Sequence, residues 1–148
     1  MNKEIAIAED SIPDKPQLKM KYTFTLPIYI FLGNKKISLN MNWYRNAHYM
    51  TLNKTKQSYY PLLFEKFVAE RIHISYHLVW NNNRRTDLMN WITIADKYFL
   101  DWLVTIGYIP DDCLKNYPSI KITSEVNTKI DKSYVRAEVT ILKFREDP

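Results

Sequence analysis

Glycine is almost missing from this chain: Gly33 and Gly107 are the only two in 148 residues. A phosphate-cradling loop needs several glycines at fixed spacing, so neither a Walker loop nor a dinucleotide fingerprint can be written here. Cysteine is scarcer still. Cys113 stands alone, which rules out an internal disulfide and zinc sites built on several cysteines. No apolar run approaches the roughly 18 residues of a membrane-crossing helix. The first ten residues mix charges and lack the apolar centre of a secretory signal. The expectation is a soluble intracellular protein with no membrane partner and no small-molecule cofactor.

What is present is a core and an uneven charge. Hydrophobic residues make up 46% and aromatics 14%, enough to fill the interior of one domain of this length. The net charge is +5. From Asn34 to Arg85 there are nine basic and two acidic residues. From Thr86 to Pro118 there are five acidic and two basic. A basic half suits a polyanion such as DNA. Acidic residues inside a DNA-binding chain repel phosphate, and metal binding is the usual reason for them. Ordinary surface variation explains the same charges about half the time.

Periodicity divides the chain. Residues 1–20 are polar, with Pro13 and Pro16, and read as a disordered tail ahead of one domain over 21–148. Tyr22 to Phe31 is rich in β-branched and aromatic residues and reads as a strand. Gly33-Asn34 is a turn signal, and Lys36 to Met41 alternates as a hairpin partner. Asn42 to Asn53 has no clear period. Lys54 to Glu70 reads as a helix whose regular part starts near Tyr59 or Tyr60, because of Pro61. Leu62, Leu63, Phe67 and Val68 would be its buried stripe. Arg71 to Val79 alternates as a strand. A long helix follows, opened by Thr86 or Asp87, with apolar residues from Leu88 to Ile106 at steps of three and four. Gly107 stops it. Ser119 to Glu125 and Tyr134 to Phe144 read as strands of a hairpin joined through Asn127 to Lys132. The order β-β-α-β-α-β-β makes an α/β (α+β) domain: a mixed sheet of four to five strands and two helices.

Thr93, Lys97 and Asp101 share one face of the long helix. Asp87 stands at its start, and Asp111-Asp112 just beyond its end. A helix of this length spans about 30 Å, so Asp112 reaches Asp87 only if the loop folds back or a second chain contributes. The structural alternative is a cap, a solvated Lys97–Asp101 pair and a turn, which spacing alone favours by about three to one. His73 and His77 share a strand face and are weak metal candidates. Cys113 has no evident base beside it. Trp91 and Trp102 belong to the core face. Trp43, Tyr44, Tyr49, Tyr59 and Tyr60 lie among basic residues and could stack on exposed bases.

Arg84-Arg85-Thr86-Asp87-Leu88-Met89-Asn90, then Lys97, Asp101-Trp102-Leu103, Gly107-Tyr108-Ile109 and Asp111-Asp112, resemble the signature of the RusA-type Holliday-junction resolvases. Those carry an arginine-rich loop, an Asp-Leu-Asp-Asn motif opening a helix, a lysine, and an Asp-Asp pair after a glycine. Asn40-Met41-Asn42-Trp43-Tyr44-Arg45 resembles the family's early Asn-rich segment, and Phe24-Thr25-Leu26-Pro27 its first strand. The similarity spans roughly Tyr22 to Phe144.

The resemblance implies a metal-dependent, structure-specific endodeoxyribonuclease of recombination and repair. It would be a homodimer cutting four-way DNA junctions, in the cytoplasm, or the host cytoplasm if phage-encoded. By position it implies Asp87, Lys97 and Asp112 as catalytic residues. Asp87, Asp111 and Asp112 would hold Mg²⁺ or Mn²⁺. Asn40, Asn42, Arg45, Lys54, Lys56, Arg84 and Arg85 would contact DNA. Three departures stand against it: Met89 replaces the motif's second aspartate, about one helical turn is added between Asn90 and Lys97, and residues around Phe31 to Leu39 are inserted. Methionine does not ligate Mg²⁺, which takes hard oxygen donors. Asp96 and Asp111 are candidate replacements. An inactive relative that binds branched DNA or inhibits a host factor is the alternative, and an unrelated protein-interaction module is a third reading.

Overall fold

Pro27 cuts the first apolar run in two. The computed structural model describes residues 19–145, so the tail expected over residues 1–20 lies almost entirely outside the described residues. Strand β1 (Lys21–Leu26) ends at the proline, and β2 (Tyr29–Leu32) starts a separate hairpin with β3 (Lys35–Ser38). The turn between them is Gly33-Asn34, with Gly33 at φ 62°, a left-handed conformation that glycine adopts without a Cβ penalty.

The aperiodic segment after the hairpin is helical. Helix α1 (Met41–Asn46) is capped by Asn40, whose side chain accepts from the Trp43 N–H. Helix α2 (Tyr49–Ser58) begins where the His48 ring accepts from the Met50 N–H. The helix expected over Lys54 to Glu70 is therefore displaced toward the N-terminus. Pro61 is the physical reason: it has no N–H to donate and disfavours helix at the residue before it. Beyond Ser58 the chain runs extended beside β1. The Leu62 N–H donates to the Thr25 carbonyl at 2.7 Å, and the Thr25 N–H donates to the Leu63 carbonyl at 2.9 Å. Of the stripe Leu62, Leu63, Phe67 and Val68, only Phe67 is buried.

Strand β4 (Ala69–Trp80), helix α3 (Leu88–Thr105), β5 (Ser119–Val126) and β6 (Tyr134–Phe144) complete the chain. The main sheet has the order β1-β6-β4-β5, with β4–β5 parallel and the other pairs antiparallel. The expected hairpin between β5 and β6 does not form, because β4 lies between them. Burial decides this. Ile72, Ile74, Tyr76 and Leu78 of β4 are almost wholly buried, whereas seven of the eight residues of β5 are exposed. The strand with more apolar surface to hide takes the centre. Residues 127–133 then cross the end of β4, where the Asn127 N–H donates to the Trp80 carbonyl and the Asn81 N–H to Ser133 Oγ.

Helix α3 is apolar on two sides because it is covered on two sides. Trp91, Ile92, Ala95, Phe99 and Leu103 pack on the sheet. Ile94 and Tyr98 meet Ile30, Ile37, Leu39 and Tyr59 beneath the hairpin. The α+β class, the single domain and the element order agree with the sequence. The differences are a first strand split in two and a first helical region made of two short helices.

The end of α3 is a Schellman motif. The Tyr108 N–H donates to the Leu103 carbonyl at 2.8 Å, and the Gly107 N–H to the Val104 carbonyl at 3.1 Å. Gly107 has φ 84°, and a Cβ there would meet nothing within 4 Å. The cost of a side chain is thus purely conformational. Gly107→Ala is expected to lower unfolding stability by about 1–2 kcal/mol, measured by urea denaturation with an unchanged m-value.

Candidate nucleic-acid interface and carboxylate cluster

The loop before α3 presents Arg84 and Arg85. Both are exposed, yet the loop itself is pinned. The Asn82 side chain accepts from the Arg84 N–H at 2.8 Å, and the Trp80 indole N–H donates to the Arg84 carbonyl at 3.2 Å. The Trp91 indole N–H donates to Thr86 Oγ1 at 2.8 Å. Two core tryptophans thus hold the loop's shape while leaving its cations in water.

Asp87 occupies the N-cap position, but its side chain makes no capping hydrogen bond. Its exposed carboxylate is not consumed by the helix. One turn on, Asn90 Oδ1 accepts from the Met41 and Asn42 N–H groups at 3.0 and 3.3 Å. That side chain ties the start of α3 to the start of α1, joining two segments nearly fifty residues apart. Further along the helix, Lys97 Nζ lies 5.6 Å from the centre of the Tyr44 ring, a cation–π distance. Arg84, Arg85, Asp87, Asn90 and Asn42 thus gather at one end of α3, with Tyr44 and Lys97 next along it.

The other sequence candidates have different placements. Asn40 is the α1 cap, so its side chain is engaged in structure. Arg45 is exposed in the last turn of α1. Lys54 is exposed and lines a groove of about 490 Å³ with Lys35, Ile37 and Thr51. Lys56 is bound to Asp101 at 3.1 Å, which offsets its charge. The Lys97–Asp101 pair expected from helical spacing gives way to Lys56–Asp101 and Lys97–Tyr44.

Asp111 and Asp112 sit beyond the far end of α3. They line a cleft of about 740 Å³ together with Lys56, Tyr98, Asp101 and Trp102. Asp87 stands at the start of α3, whereas the cleft runs along its C-terminal half from Tyr98 to Ile106, and Asp112 comes near enough to act on Asp96 midway along the helix. Among the described residues, no three His, Cys, Asp or Glu side chains stand where they could hold a metal ion together. Asp87, Asp111 and Asp112 do not form such a group in a single copy of the described residues; a shared divalent ion takes carboxylate oxygens about 2.0–2.6 Å from one centre.

Asp96 was only a candidate replacement in the sequence, yet it is the most distinctive carboxylate of the fold. Its Oδ1 accepts from the Tyr76 hydroxyl at 2.6 Å and the Tyr117 hydroxyl at 2.9 Å. Burial pushes its carboxyl above the ordinary range, and nearby Asp112 adds to this. The two tyrosine hydrogen bonds and the Lys97 charge pull the other way. Tyr76 and Tyr117 are themselves driven up, first by burial and then by Asp96. A signal existed: Asp96 falls between Ile92, Ala95 and Phe99 on the apolar side of α3, where a carboxylate needs partners.

A raised carboxyl pKa makes the folded chain bind the proton more tightly than the unfolded chain. Its contribution to stability is therefore present at acid pH and lost as pH rises through the folded value. Asp96→Asn should lose that dependence and gain on the wild type as pH rises above the ordinary carboxylate range. Parallel melting-temperature curves for the two proteins would show that Asp96 does not titrate there.

A scan against protein-family models finds no match, and a search of curated proteins finds none. The functional reading therefore stands on the residues themselves.

His73 and His77 are satisfied within the open face of the sheet. His73 Nδ1 pairs with Ser119 Oγ at 2.7 Å. His77 pairs through Nδ1 with Thr123 Oγ1 at 2.6 Å and through Nε2 with Glu125 at 2.7 Å. Cys113 is exposed and contacts the Asn116 side chain at 3.3 Å. Trp91 and Trp102 pack in the core, and so does Tyr59. Tyr49 and Tyr60 are exposed.

Proposed function

We propose that this protein is a RusA-like, structure-specific DNA endonuclease that acts as a homodimer on four-way junctions in recombination and repair. The observation that carries the DNA-binding part is the union of the Arg84–Asn90 segment with the Asn40–Arg45 segment through Asn90. Both segments bear the resemblance, and a shared surface is what a common role requires. Exposed arginines beside asparagines and an aromatic ring suit phosphate contact and stacking on unpaired bases. Arg45, Lys54, Arg84 and Arg85 would bind phosphates and orient the junction, which fixes position without reading sequence. Lys97 would hold positive charge close to the reacting phosphate.

Cleavage rests on the resemblance. Mg²⁺ or Mn²⁺ would supply a polarised phosphate and an activated water. Among the described residues of a single chain no such carboxylate group is assembled, and an Asp112 from a second chain or a rearranged loop would complete one. Met89, which offers no hard oxygen ligand, favours the second reading, a catalytically inactive protein that binds branched DNA or inhibits a host factor.

A nicking assay separates the two. A synthetic four-way junction and a linear duplex are incubated with Mg²⁺ and then with Mn²⁺. Symmetric cuts confined to the junction support the nuclease. Junction binding that weakens with salt, without cuts, supports the binder. Neither binding nor cutting removes the nuclease and the junction binder and leaves only the inhibitor of a host factor.

A further inference from the structure

Strand β5 is the edge of the main sheet, hydrogen-bonded to β4 on one side. Among the described residues, no backbone group pairs with its outer side. Eight residues give an edge about 26 Å long. Natural edges of this length are usually covered, bulged or charged, because they template pairing with another chain. This edge carries one lysine, Lys121, which could serve as such a guard. It also carries Glu125 four residues on, pointing to the same face, and the pattern between them is symmetric.

We infer that β5 pairs antiparallel with β5 of a second copy of this chain, about a two-fold axis through Thr123. In that register Lys121 lies opposite Glu125 of the other copy, twice by symmetry, and Thr123 lies opposite itself. On the α3 face, Ile120 lies opposite Val126, also twice. Those two residues are 45% and 57% exposed in the single chain, unlike the interior positions of β4, and the pairing gives each an apolar neighbour.

The register is unique. A two-fold axis perpendicular to the sheet keeps faces together, so the axis must pass through a residue. Through Lys121 it opposes two lysines; through Glu125 it opposes two glutamates, and like charges directly opposite are unfavourable. Through Ile122 or Ser124 both charges face neutral residues. Thr123 alone meets both Lys121–Glu125 pairs and both Ile120–Val126 pairs; Ile122 then lies opposite Ser124, and Glu125 keeps its second oxygen for Lys121 beside its contact with His77. The product is an eight-stranded sheet with both α3 helices on one side and the order β1-β6-β4-β5-β5-β4-β6-β1. This inference gives the dimer of the proposed function an interface, but it rests on β5 and not on nuclease activity.

Two measurements test it. Sedimentation equilibrium on the full chain should show a dimer. Lys121→Glu and Glu125→Lys should each weaken it about tenfold or more, since symmetry doubles each unfavourable pair. The double variant K121E/E125K should restore wild-type association. The second measurement uses a Cys113→Ser background. Thr123→Cys should cross-link to itself on mild oxidation, because directly opposed Cβ atoms lie about 4.5–5.5 Å apart. Ser119→Cys, four residues off the axis, should not. A wild-type monomer at about 100 μM, well above any stable dimer's dissociation constant, overturns the inference. So does a dimer indifferent to both single reversals, or one that cross-links at Ser119→Cys but not at Thr123→Cys. A monomer that cuts junctions would sink this interface and the homodimer while leaving the endonuclease reading standing; a β5-linked dimer that ignores DNA would do the reverse.

Discussion

Raising salt from about 50 to about 200 mM should weaken junction binding about 150-fold, the consequence of a slope of about −3.6 in log affinity against log salt for four phosphate contacts. The four are Arg45, Lys54, Arg84 and Arg85, all exposed. Lys56 is left out because Asp101 already offsets its charge at 3.1 Å. The slope therefore has an internal control. Replacing Arg84 and Arg85 together with alanine should reduce it by about two contacts' worth, while Lys56→Ala should leave it nearly unchanged. The arginine pair is suited to this comparison because its loop is held by Trp80 and Trp91 and not by the guanidinium groups. Fluorescence anisotropy on a labelled four-way junction would give the slopes. A flat response would remove DNA as the partner, and with it the nuclease and the junction binder, leaving only the inhibitor of a host factor.

Asp87→Asn should abolish junction cleavage, by about a hundredfold or more, while leaving junction affinity within about twofold. The substitution keeps the side chain's size and its acceptor oxygen but removes its charge. Little structural cost is expected, since the carboxylate is exposed and makes no capping hydrogen bond. Any loss of binding would instead mean that Asp87 organises the loop. Single-turnover cleavage and anisotropy on the same preparation separate the outcomes. Unchanged cleavage in Asp87→Asn would remove this residue from the catalytic assignment. Asp112→Asn offers the companion experiment. If a second chain supplies Asp112, mixing Asp87→Asn with Asp112→Asn should recover about a quarter to a half of the activity, because some mixed dimers hold one intact site.

Much of this chain was legible without coordinates. The alternation of Ile72, Ile74, Tyr76 and Leu78 is a strand pattern, and those side chains are buried together. The run from Leu88 to Ile106 has helical periodicity, and Gly107 ends it by a Schellman motif. Pro61 was visible too, but its effect was placed on the wrong side. The sequence pattern points to a helix starting near it, whereas α2 ends at Ser58, ahead of it. Helices α1 and α2 were missed because they bury almost nothing: α1 has no buried residue and α2 only Thr55. Without an apolar stripe there is no period to detect, and their caps, Asn40 and His48, are local signals easily read as loop. The candidate site was half legible. Its residues stand in the linear pattern, but their grouping does not. Asn90 was part of a motif, yet its bonds to α1 depend on how α1 packs. Lys56 was assigned to DNA and is engaged by Asp101 across helices.

Sequence alone determined the α+β class, the long buried helix, the central strand and the cation-rich half, because these follow from local periodicity and composition. Tertiary structure decided the rest. It placed β4 between β5 and β6, since the strand with the most apolar surface must be covered on both edges. It set Asp87 at the start of α3 and brought Asp112 back beside Asp96 midway along it, since the turn after Gly107 returns the chain along the helix. It closed Tyr76 and Tyr117 on Asp96, since a carboxylate half-buried between sheet and helix needs hydrogen-bond donors, and only packing brings them from β4 and the loop before β5.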